Sequence, residues 1–266
     1  MNVSFIGGGT MAEALIGGIL DAKLTEAGNI RVGEPVESRR SYLEEKYGLN
    51  TTSSNGDVVG DYDILVMAVK PQSLGEVYAA LNGSLPGDTA VVSIVAGANI
   101  ASLSQGLGHP AIIRVMPNTP AQIGMGMCVW TAAPGVSKAS IDATRDIVST
   151  LGEEVYVPDE KLIDMATALS ASGPAYVFLF IEAMIDAGVY LGMARDMARK
   201  LVLQTILGST QMVKESGRHP ADLKDMVTSP GGTTVEALLV MEKSGLRTSV
   251  LQGVIAAYEK SKALGG

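Results

Sequence analysis

The chain has 266 residues, enough for two domains of ordinary size, and 47% of them are hydrophobic, which excludes a disordered chain. Its formal net charge of -8 excludes non-specific binding to nucleic acid or acidic lipid, because phosphate backbones and anionic headgroups repel such a surface. We therefore expect a small-molecule partner, with no nucleic acid and no membrane.

Cysteine usage and the N-terminus indicate the compartment. The single cysteine, Cys128, rules out an intrachain disulfide, suits a reducing compartment and is predicted to be a buried, inert thiol. The opening "MNVSFIGGG" has no basic segment followed by a long apolar one, so we expect no secretory signal. The longest apolar run, residues 174–193, contains Glu182 and Asp186 and is interpreted as a buried helix rather than a membrane span. A cytoplasmic protein is expected.

In the first part of the chain, short β-branched runs alternate with helical patterns: "VSFIG", "TMAEALIGGIL", "NIRVGE", "SRRSYLEEKY", "DILVMAV" and "QSLGEVYAAL". This alternation predicts βαβ units, a parallel sheet and helices on both of its faces. The runs "AVVSIVA", "AIIRVMP", "GMCVWTA" and "EVYVP" extend the sheet to about residue 158. Residues 1–160 are predicted to form a dinucleotide-binding domain.

Beyond residue 160 the strand signals stop, and five segments have helical period: 174–191, 194–215, 219–227, 233–244 and 246–264. Residues 161–266 are therefore predicted to form an all-helical domain. Its aliphatic and methionine surface exceeds what a bundle of this size can hide, which predicts a homo-oligomer.

"FIGGGTMAEAL" places Gly7, Gly9 and Ala12 in a G-x-G-x-x-A arrangement after a strand and at a helix start. Gly7 permits the tight turn, Gly9 lets the backbone approach a pyrophosphate, and Ala12 lets helix and strand pack closely. The alternative is a purely structural glycine turn. At the first junction of a βαβ series, the motif favours a dinucleotide site at the helix N-terminus.

The sequence at the end of the second strand, "VGEPVESRR", does not decide between NAD and NADP as the coenzyme. Glu34 there can accept hydrogen bonds from a free ribose 2′-hydroxyl, as in NAD, whereas Arg39 and Arg40 can pair with a 2′-phosphate, as in NADP. The structural alternative is a turn followed by a solvated helix face. Later strands end at residues 68–71 and 96–97, where ligands of open α/β sheets bind; Lys70 is interpreted as shaping a loop around the cofactor rather than as a base.

Several catalytic residue types are missing. His109 and His219 both precede proline in what look like surface turns, no serine lies in a nucleophile-elbow motif, and no His/Cys spacing predicts a metal site. Reduction of a ketone generally needs a side chain that moves a proton. A protonated imine does not, because its nitrogen keeps its proton as hydride reaches carbon, so that the enzyme has only to hold and orient it.

"TSPGGTTVEAL" suits such a substrate. The N–H groups of Gly231, Gly232 and Thr233 at a helix start can hold a carboxylate, and the Thr234 hydroxyl can meet a ring nitrogen. Plain turn or cap chemistry is the alternative. The segments "RVMPNTPA" and "SASGPAYVF" share this composition of Pro, Gly and small polar residues.

The motifs "FIGGGTMAEALIGG", "AVKPQ", "VVSIVAG", "RVMPNTPA", "SGPAYVFLFIEAM" and "LKDMVTSPGGTTVEAL" together resemble the pyrroline-5-carboxylate reductase family over essentially the whole chain. The resemblance implies an oxidoreductase that reduces 1-pyrroline-5-carboxylate to L-proline, the last step of proline biosynthesis. It implies the α/β fold class, with an N-terminal Rossmann-type, mostly parallel sheet followed by an all-helical dimerisation domain. It also implies a site shared between subunits of a homodimer, which often assembles into a decamer.

The resemblance also implies site residues. The implied cofactor is NADPH, with NADH as the open alternative because Gly33 and Glu34 differ from some relatives. Cofactor contacts are expected from Ile6, Gly7, Gly8, Gly9, Thr10, Met11, Glu34, Asn55, Ala68, Val69, Lys70, Pro71 and Ala96. Substrate contacts are expected from Ala96, Ser172, Gly231, Gly232, Thr233 and Thr234, of which Thr234 is the catalytic candidate.

Two rival functions share features of this sequence. A β-hydroxyacid dehydrogenase has a similar domain pair but needs a catalytic lysine on its long central helix, where this chain has Glu182. A regulatory protein that binds the cofactor without turnover is the other rival. The intact Gly7 and Gly9 and the complete "SPGGTT" turn argue against it.

Overall fold

The computed structural model describes residues 1–264 and divides the chain into two compact units. Unit 1 comprises Met1–Ser172 together with residues 257–264, and unit 2 comprises Gly173–Ala256. As packing units the chain thus divides after Ser172, and residues 257–264 return to unit 1. The functional division at residues 160 and 161 stays a prediction.

Unit 1 contains an eight-stranded sheet with the order β3-β2-β1-β4-β5-β6-β7-β8. The strands are β1 (Val3–Ile6), β2 (Ile30–Gly33), β3 (Asn50–Thr52), β4 (Ile64–Met67), β5 (Ala90–Ser93), β6 (Ile112–Met116), β7 (Gly126–Ala132) and β8 (Gly152–Tyr156). All neighbours are parallel except β6 and β7. The predicted mostly parallel sheet is confirmed, with β3 as an additional edge strand.

Six helices belong to unit 1 in full: α1 (Thr10–Asp21), α2 (Glu37–Tyr47), α3 (Leu74–Leu81), α4 (Ile100–Leu107), α5 (Lys138–Ser149) and α6 (Lys161–Ala166). Local sequence sets several of their ends. The Asn99 side chain accepts a hydrogen bond from the Ser102 N–H and caps α4, while α2 and α4 end at Gly48 and Gly108, both with positive φ. A π-helical turn, Thr167–Ala171, follows α6.

The core lies on both faces of the sheet. Every residue of β1, β4, β5 and β6 is buried, as expected when helices cover both faces of a parallel sheet. Cys128 on β7 is 0% exposed, and burial, with a further contribution from the charge of Glu154, raises its pKa to about 12. The prediction of a buried, inert thiol is confirmed as far as burial is concerned, since a thiol with this pKa is protonated at neutral pH.

Unit 2 is built from helices joined by turns. They are α7 (Gly173–Tyr190), α8 (Arg195–Ser216), α9 (Pro220–Met226), α10 (Thr233–Lys243) and α11 (Leu246–Leu264), whose last turns lie in unit 1. All five agree with the predicted segments to within one or two residues. Helices α7 and α8 pack closely: a Cβ on Gly188 would lie 2.8 Å from the Ala198 Cβ.

The two histidines differ from each other. His219 caps α9, its Nδ1 accepting a hydrogen bond from the Ala221 N–H, which agrees with the predicted turn. His109 was predicted to lie in a surface turn, and that is wrong: it is 4% exposed, and its Nε2 lies 2.7 Å from the Thr89 carbonyl oxygen. The ring is satisfied by the backbone and has a structural role.

Helix α7 is the main departure from prediction. It was expected to be buried, yet none of residues 173–190 is buried in the single chain, and Phe178, Leu179 and Tyr190 are 60%, 67% and 91% exposed. Within the helical stretch Lys161–Tyr190, an 18-residue window has a mean hydropathy of 1.5, so the stretch is long and apolar enough to cross a membrane by length and composition alone. A single chain thus leaves many apolar side chains of its helical unit exposed, and they form the apolar surface of this unit.

We expect this surface to be covered by further copies of the chain, because an apolar face of this size is rarely left in water. Light scattering coupled to size-exclusion chromatography in detergent-free buffer should give a mass of at least twice the 27.6 kDa of one chain. A stable, active 27.6 kDa species would contradict the expectation.

Candidate active site

The predicted cofactor residues meet at one edge of the sheet. Strands β1, β2, β4 and β5 are parallel neighbours, so their carboxyl ends lie side by side. From these ends start the segments 6–11, 34, 68–71 and 96, which contain all the predicted cofactor residues except Asn55. Asn55 joins them, because a Cβ on Gly33 at the end of β2 would lie 3.3 Å from its Oδ1.

The glycine turn after β1 has the geometry that its sequence predicts. Gly7 has φ +93°, its N–H donates to the Gly33 carbonyl at 2.7 Å, and a Cβ there would lie 2.6 Å from the Ala68 carbonyl oxygen. A Cβ on Gly9, in contrast, would meet nothing within 4 Å. Gly7 is therefore required by the fold, whereas Gly9 leaves open space in front of the backbone. Ala12, 1% exposed, packs in the core behind it.

This open space adjoins the start of α1. Gly9 is the N-cap, the Glu13 N–H makes the first bond back to its carbonyl, and both Gly9 and Thr10 are exposed. The N–H groups of the first helical turn have no acceptor within the helix and carry partial positive charge. The turn therefore fits a dinucleotide pyrophosphate.

Glu34 is engaged inside the protein. It is 8% exposed, and its two carboxylate oxygens accept the Gly8 and Val36 N–H groups, each at 2.9 Å. Beside it, the Arg39 Nε donates to the Gly8 carbonyl at 2.5 Å, and Arg40 donates to the Glu34 and Pro35 carbonyls at 2.8 Å. The acidic group holds the glycine turn, and two half-buried guanidinium groups lie around it.

The Glu13 carboxylate on α1 is hydrogen-bonded to four side chains of α2, and no sequence pattern predicted this cluster. It accepts hydrogen bonds from Arg39, Tyr42, Lys46 and Tyr47. Burial alone raises its pKa, but these hydrogen bonds outweigh burial and lower the pKa of Glu13 to about 2. The cluster ties the helix that begins at the glycine turn to the helix that follows β2.

The remaining cofactor residues form two short loops. The Ala68 N–H donates to the Ile6 carbonyl at 2.8 Å, and Lys70 is exposed ahead of a 3-10 turn that begins at Pro71. Ala96 is half-buried and packs against the apolar cluster that contains Met116. Lys70 thus belongs to an exposed loop.

The predicted substrate turn has a defined conformation. The Gly232 N–H donates to the Ser229 carbonyl at 3.0 Å, and Gly231 has φ +70°, so Pro230 and Gly231 occupy the central positions of a turn that needs glycine second. Gly232 is then the N-cap of α10. Thr233 and Thr234, the latter half-exposed, are its first residues.

The structure does not group every predicted residue in one place. The cofactor residues and Ser172 belong to unit 1, whereas Gly231 to Thr234 belong to unit 2. Ser172 ends the π-helical turn, its N–H donating to the Thr167 carbonyl at 2.9 Å. This turn was not foreseen, and π-helical turns are frequent at functional sites. Residues 1–264 contain no group of three His, Cys, Asp or Glu that could hold a metal ion.

A cavity of about 610 Å³ runs along α1 from Thr10 to Ala22. Its wall includes Glu13, Lys46, Gln122 and Thr150, and within residues 1–264 it shares only Thr10 with the predicted cofactor residues. The cofactor residues therefore surround an open edge of the sheet rather than this cavity.

The low pKa of Glu13 predicts a pH dependence of stability. A carboxyl group whose pKa is lower in the folded than in the unfolded chain stabilises the fold at pH values above its unfolded-state pKa, which for Glu13 is near 4.5. That stabilisation is lost as the pH falls toward the folded-state pKa of about 2. Between these pH values the native chain should therefore lose more thermal stability than Glu13→Gln, which cannot ionise. Melting temperatures of both proteins from pH 7 to pH 3 test this; parallel curves would exclude a lowered pKa at Glu13.

Comparisons with known proteins cover both units. The family model described as pyrroline-5-carboxylate reductase dimerisation matches residues 160–264, and that described as NADP oxidoreductase coenzyme F420-dependent matches residues 2–97. The pyrroline-5-carboxylate reductase of Synechocystis sp. is 43% identical over 265 residues, covering 100% of this chain and 98% of the relative. That of Escherichia coli K12 is 40% identical over 263 residues, covering 98% and 97%.

Solved structures agree. The Plasmodium falciparum pyrroline carboxylate reductase with NADP bound aligns with a TM-score of 0.88 at 37% identity, covering 100% of this chain and 98% of that one. The 1-pyrroline-5-carboxylate reductase of Streptococcus pyogenes aligns with a TM-score of 0.90 at 31% identity, covering 99% and 98%. With the glycine turn at the sheet edge and the Ser-Pro-Gly-Gly-Thr-Thr turn at the start of α10, these full-length matches show that the chain belongs to the pyrroline-5-carboxylate reductase family.

Proposed function

We propose that this chain reduces 1-pyrroline-5-carboxylate to L-proline with NADPH, the last step of proline biosynthesis. The observation that carries the proposal is the turn Ser229–Gly232 at the N-terminus of α10, in a chain that also has a dinucleotide turn. The name shared by the full-length relatives supports it.

The substrate carboxylate binds at the start of α10. This helix has 11 residues, and the N–H groups of its first turn have no acceptor within the helix, so they can hold an anion. The positive φ of Gly231 and the tight packing of Gly232 against Ser229 set the direction of these groups. The Thr234 hydroxyl, half-exposed on the same turn, bonds the ring nitrogen.

The chemistry needs no general acid. The nicotinamide, when bound, supplies the hydride to the carbon of the protonated C=N bond. The electron pair of the double bond's π component moves to nitrogen, which keeps its proton, so the neutral amine of proline results and NADPH becomes NADP⁺. The protein's part is to hold and orient the imine, because orientation alone can supply much of a rate enhancement.

The coenzyme assignment rests on the turn after β2. The Glu34 carboxylate already accepts two backbone N–H groups, so it is poorly placed to read a free 2′-hydroxyl as well. Arg39 and Arg40 lie at the same turn: Arg39 is paired with Glu13, whereas Arg40 donates to the Glu34 and Pro35 carbonyls through a single nitrogen, Nη1. The guanidinium group of Arg40 therefore suits a 2′-phosphate, with Arg39 adding positive charge nearby. We assign NADPH as the preferred coenzyme, with NADH as the weaker alternative.

The remaining assignments follow the family. Residues 1–160 act as the dinucleotide domain and residues 161–266 as the substrate and dimerisation domain. The exposed face of α7 is covered by a second subunit rather than by lipid, in a cytoplasmic homodimer that assembles further into a decamer. The matched dimerisation region supports the subunit contact. The proposed cofactor contacts are Ile6, Gly7, Gly8, Gly9, Thr10, Met11, Glu34, Asn55, Ala68, Val69, Lys70, Pro71 and Ala96; the proposed substrate contacts are Ala96, Ser172, Gly231, Gly232, Thr233 and Thr234.

The activity is tested by following reduced-nicotinamide absorbance with purified protein and pyrroline-5-carboxylate, in parallel with NADPH and NADH. We expect oxidation with stoichiometric proline, and kcat/KM about tenfold or more higher with NADPH, because each charge-assisted bond to a 2′-phosphate contributes on the order of 1.5 kcal/mol or more. Oxidation with neither coenzyme, in protein that binds NADPH, would refute the proposed substrate. A faster reaction with NADH would refute the coenzyme assignment alone.

The role of Thr234 is tested by removing its hydroxyl. Thr234→Ala should lower kcat/KM by about tenfold or more, the cost of one buried hydrogen bond at the reacting nitrogen, on the order of 1–3 kcal/mol. The matched control is Thr234→Ser, which keeps the hydroxyl and should retain most of the activity. Equal kinetics in the native protein and Thr234→Ala would remove Thr234 from the mechanism.

A further inference from the structure

A buried charge network lies behind the carboxyl edge of the sheet. Arg114 on β6 is 2% exposed and donates to Glu160 Oε1 at 2.9 Å and to Asp164 Oδ1 at 2.8 Å. Its Nε is buried with no hydrogen-bond partner among residues 1–264. One guanidinium thus serves two carboxylates, which leaves the group one negative charge in excess.

Each carboxylate has a second donor on another element. Glu160 Oε1 also accepts the N–H of Ile100, the first residue of α4, at 2.8 Å. Asp164 Oδ1 also accepts the hydroxyl of Ser261 at 3.1 Å. Ser261 is 4% exposed and is the one buried residue of α11 within the described chain. The network therefore joins the start of α4 to the last turn of the final helix.

Helices α4 and α11 also hold the loop of residues 94–99, which runs from the end of β5 to the start of α4. Gly97 in this loop has φ +77°, and a Cβ on it would lie 2.7 Å from the Leu264 Cβ and 3.2 Å from the Leu264 carbonyl oxygen. The loop residues "IVAGAN" carry no charge and no long polar side chain. Its far end is held through Ile100 and Glu160, and its middle rests on the end of α11.

We propose that Ser261 is a positioning residue for hydride transfer: it holds the last turn of α11 against Gly97 and so fixes the loop that carries Ala96. The proposal rests on the proposed function, in which Ala96 contacts both the cofactor and the substrate. Loss of the Ser261 hydroxyl frees the end of α11 from Asp164, and Leu264 then no longer presses on the loop. Because a misplacement of about 1 Å at a reacting centre can lower a rate by about a hundredfold, a small shift of this loop is enough to slow transfer.

The pyrophosphate turn lies on another loop, at residues 7–11, and is held by different contacts, those of Glu34 and Gly33. Overall NADPH affinity should therefore change little when Ser261 is altered. An unchanged NADPH affinity together with a changed kcat would indicate a positioning role. In a general structural role, the stability of the protein would fall, while kcat per folded enzyme and its isotope effect would stay the same.

The test compares Ser261→Ala with Lys262→Ala in the full-length protein. Lys262 is next in sequence, and its described partners, the Glu259 carboxylate and the Tyr258 ring, lie on its own helix, so it controls for changes at the end of α11. Ser261→Thr, which keeps the hydroxyl, serves as the rescue variant. Four quantities are measured: kcat, the deuterium isotope effect on kcat with NADPH labelled at the transferred position, the NADPH dissociation constant by fluorescence titration, and amide hydrogen exchange of residues 94–103.

In Ser261→Ala we expect kcat to fall about fivefold or more with a larger isotope effect, NADPH affinity within about twofold, and faster exchange in residues 94–103. Lys262→Ala should behave as the native protein, and Ser261→Thr should recover most of kcat. Unchanged exchange and kcat in Ser261→Ala, or an equal effect in Lys262→Ala, would overturn the proposal. If the native protein proved inactive on pyrroline-5-carboxylate, the proposed function would fail, while the exchange data would still decide whether Ser261 holds the loop.

Discussion

The close approach of three strand ends at Gly7 is the constraint on which the cofactor site depends. The Gly7 N–H donates to Gly33 at the end of β2, and the space where a Cβ would stand is taken by the Ala68 carbonyl oxygen after β4. No other residue type fits this position, because both the positive φ and the contact exclude a side chain. The contact sets where α1 begins, and so where its free N–H groups face an anion.

The two units differ in how far one chain buries their apolar residues. In unit 1 an apolar sheet is covered on both faces by its own helices, and its strands are buried throughout. In unit 2 only Ala198 and Val202 are buried hydrophobic residues of the described chain, although α7 is almost wholly apolar. A helix that is hydrophobic around its circumference needs neighbours on more than one side. Five helices of one chain do not provide them, and for this reason we expect further copies of the chain to complete the core of unit 2.

Sequence reasoning succeeded where a local pattern determines the structure. Periodicity located the helices of unit 2 to within one or two residues, and the glycine spacing located the turn after β1. It failed where contacts between residues distant in sequence determine the structure. Strand β3 consists of three polar residues, "NTT", with no strand pattern, and its position comes from pairing with β2. Similarly, Arg114 lies 46 and 50 residues from its two partners, and His109 is buried through a contact with Thr89. The exposure of α7 in the single chain likewise has no signal in its own sequence, because burial depends on how many neighbours a helix has.

The charged groups behind the glycine turn and near the loop of residues 94–99 have the same physical role. The residues that line a dinucleotide must be small so that the backbone can approach it, and small residues cannot fix their own loops by packing. Glu34 behind the glycine turn and Arg114 with its two carboxylates near the loop of residues 94–99 supply the missing restraint through hydrogen bonds to backbone N–H groups or to neighbouring elements. Burying such charges costs desolvation energy that their pairing only partly offsets, so stability alone is a weak reason to place them there. Their directional hydrogen bonds hold loops that apolar side chains would either fill or leave free, and this accounts for buried charge beside a largely apolar core.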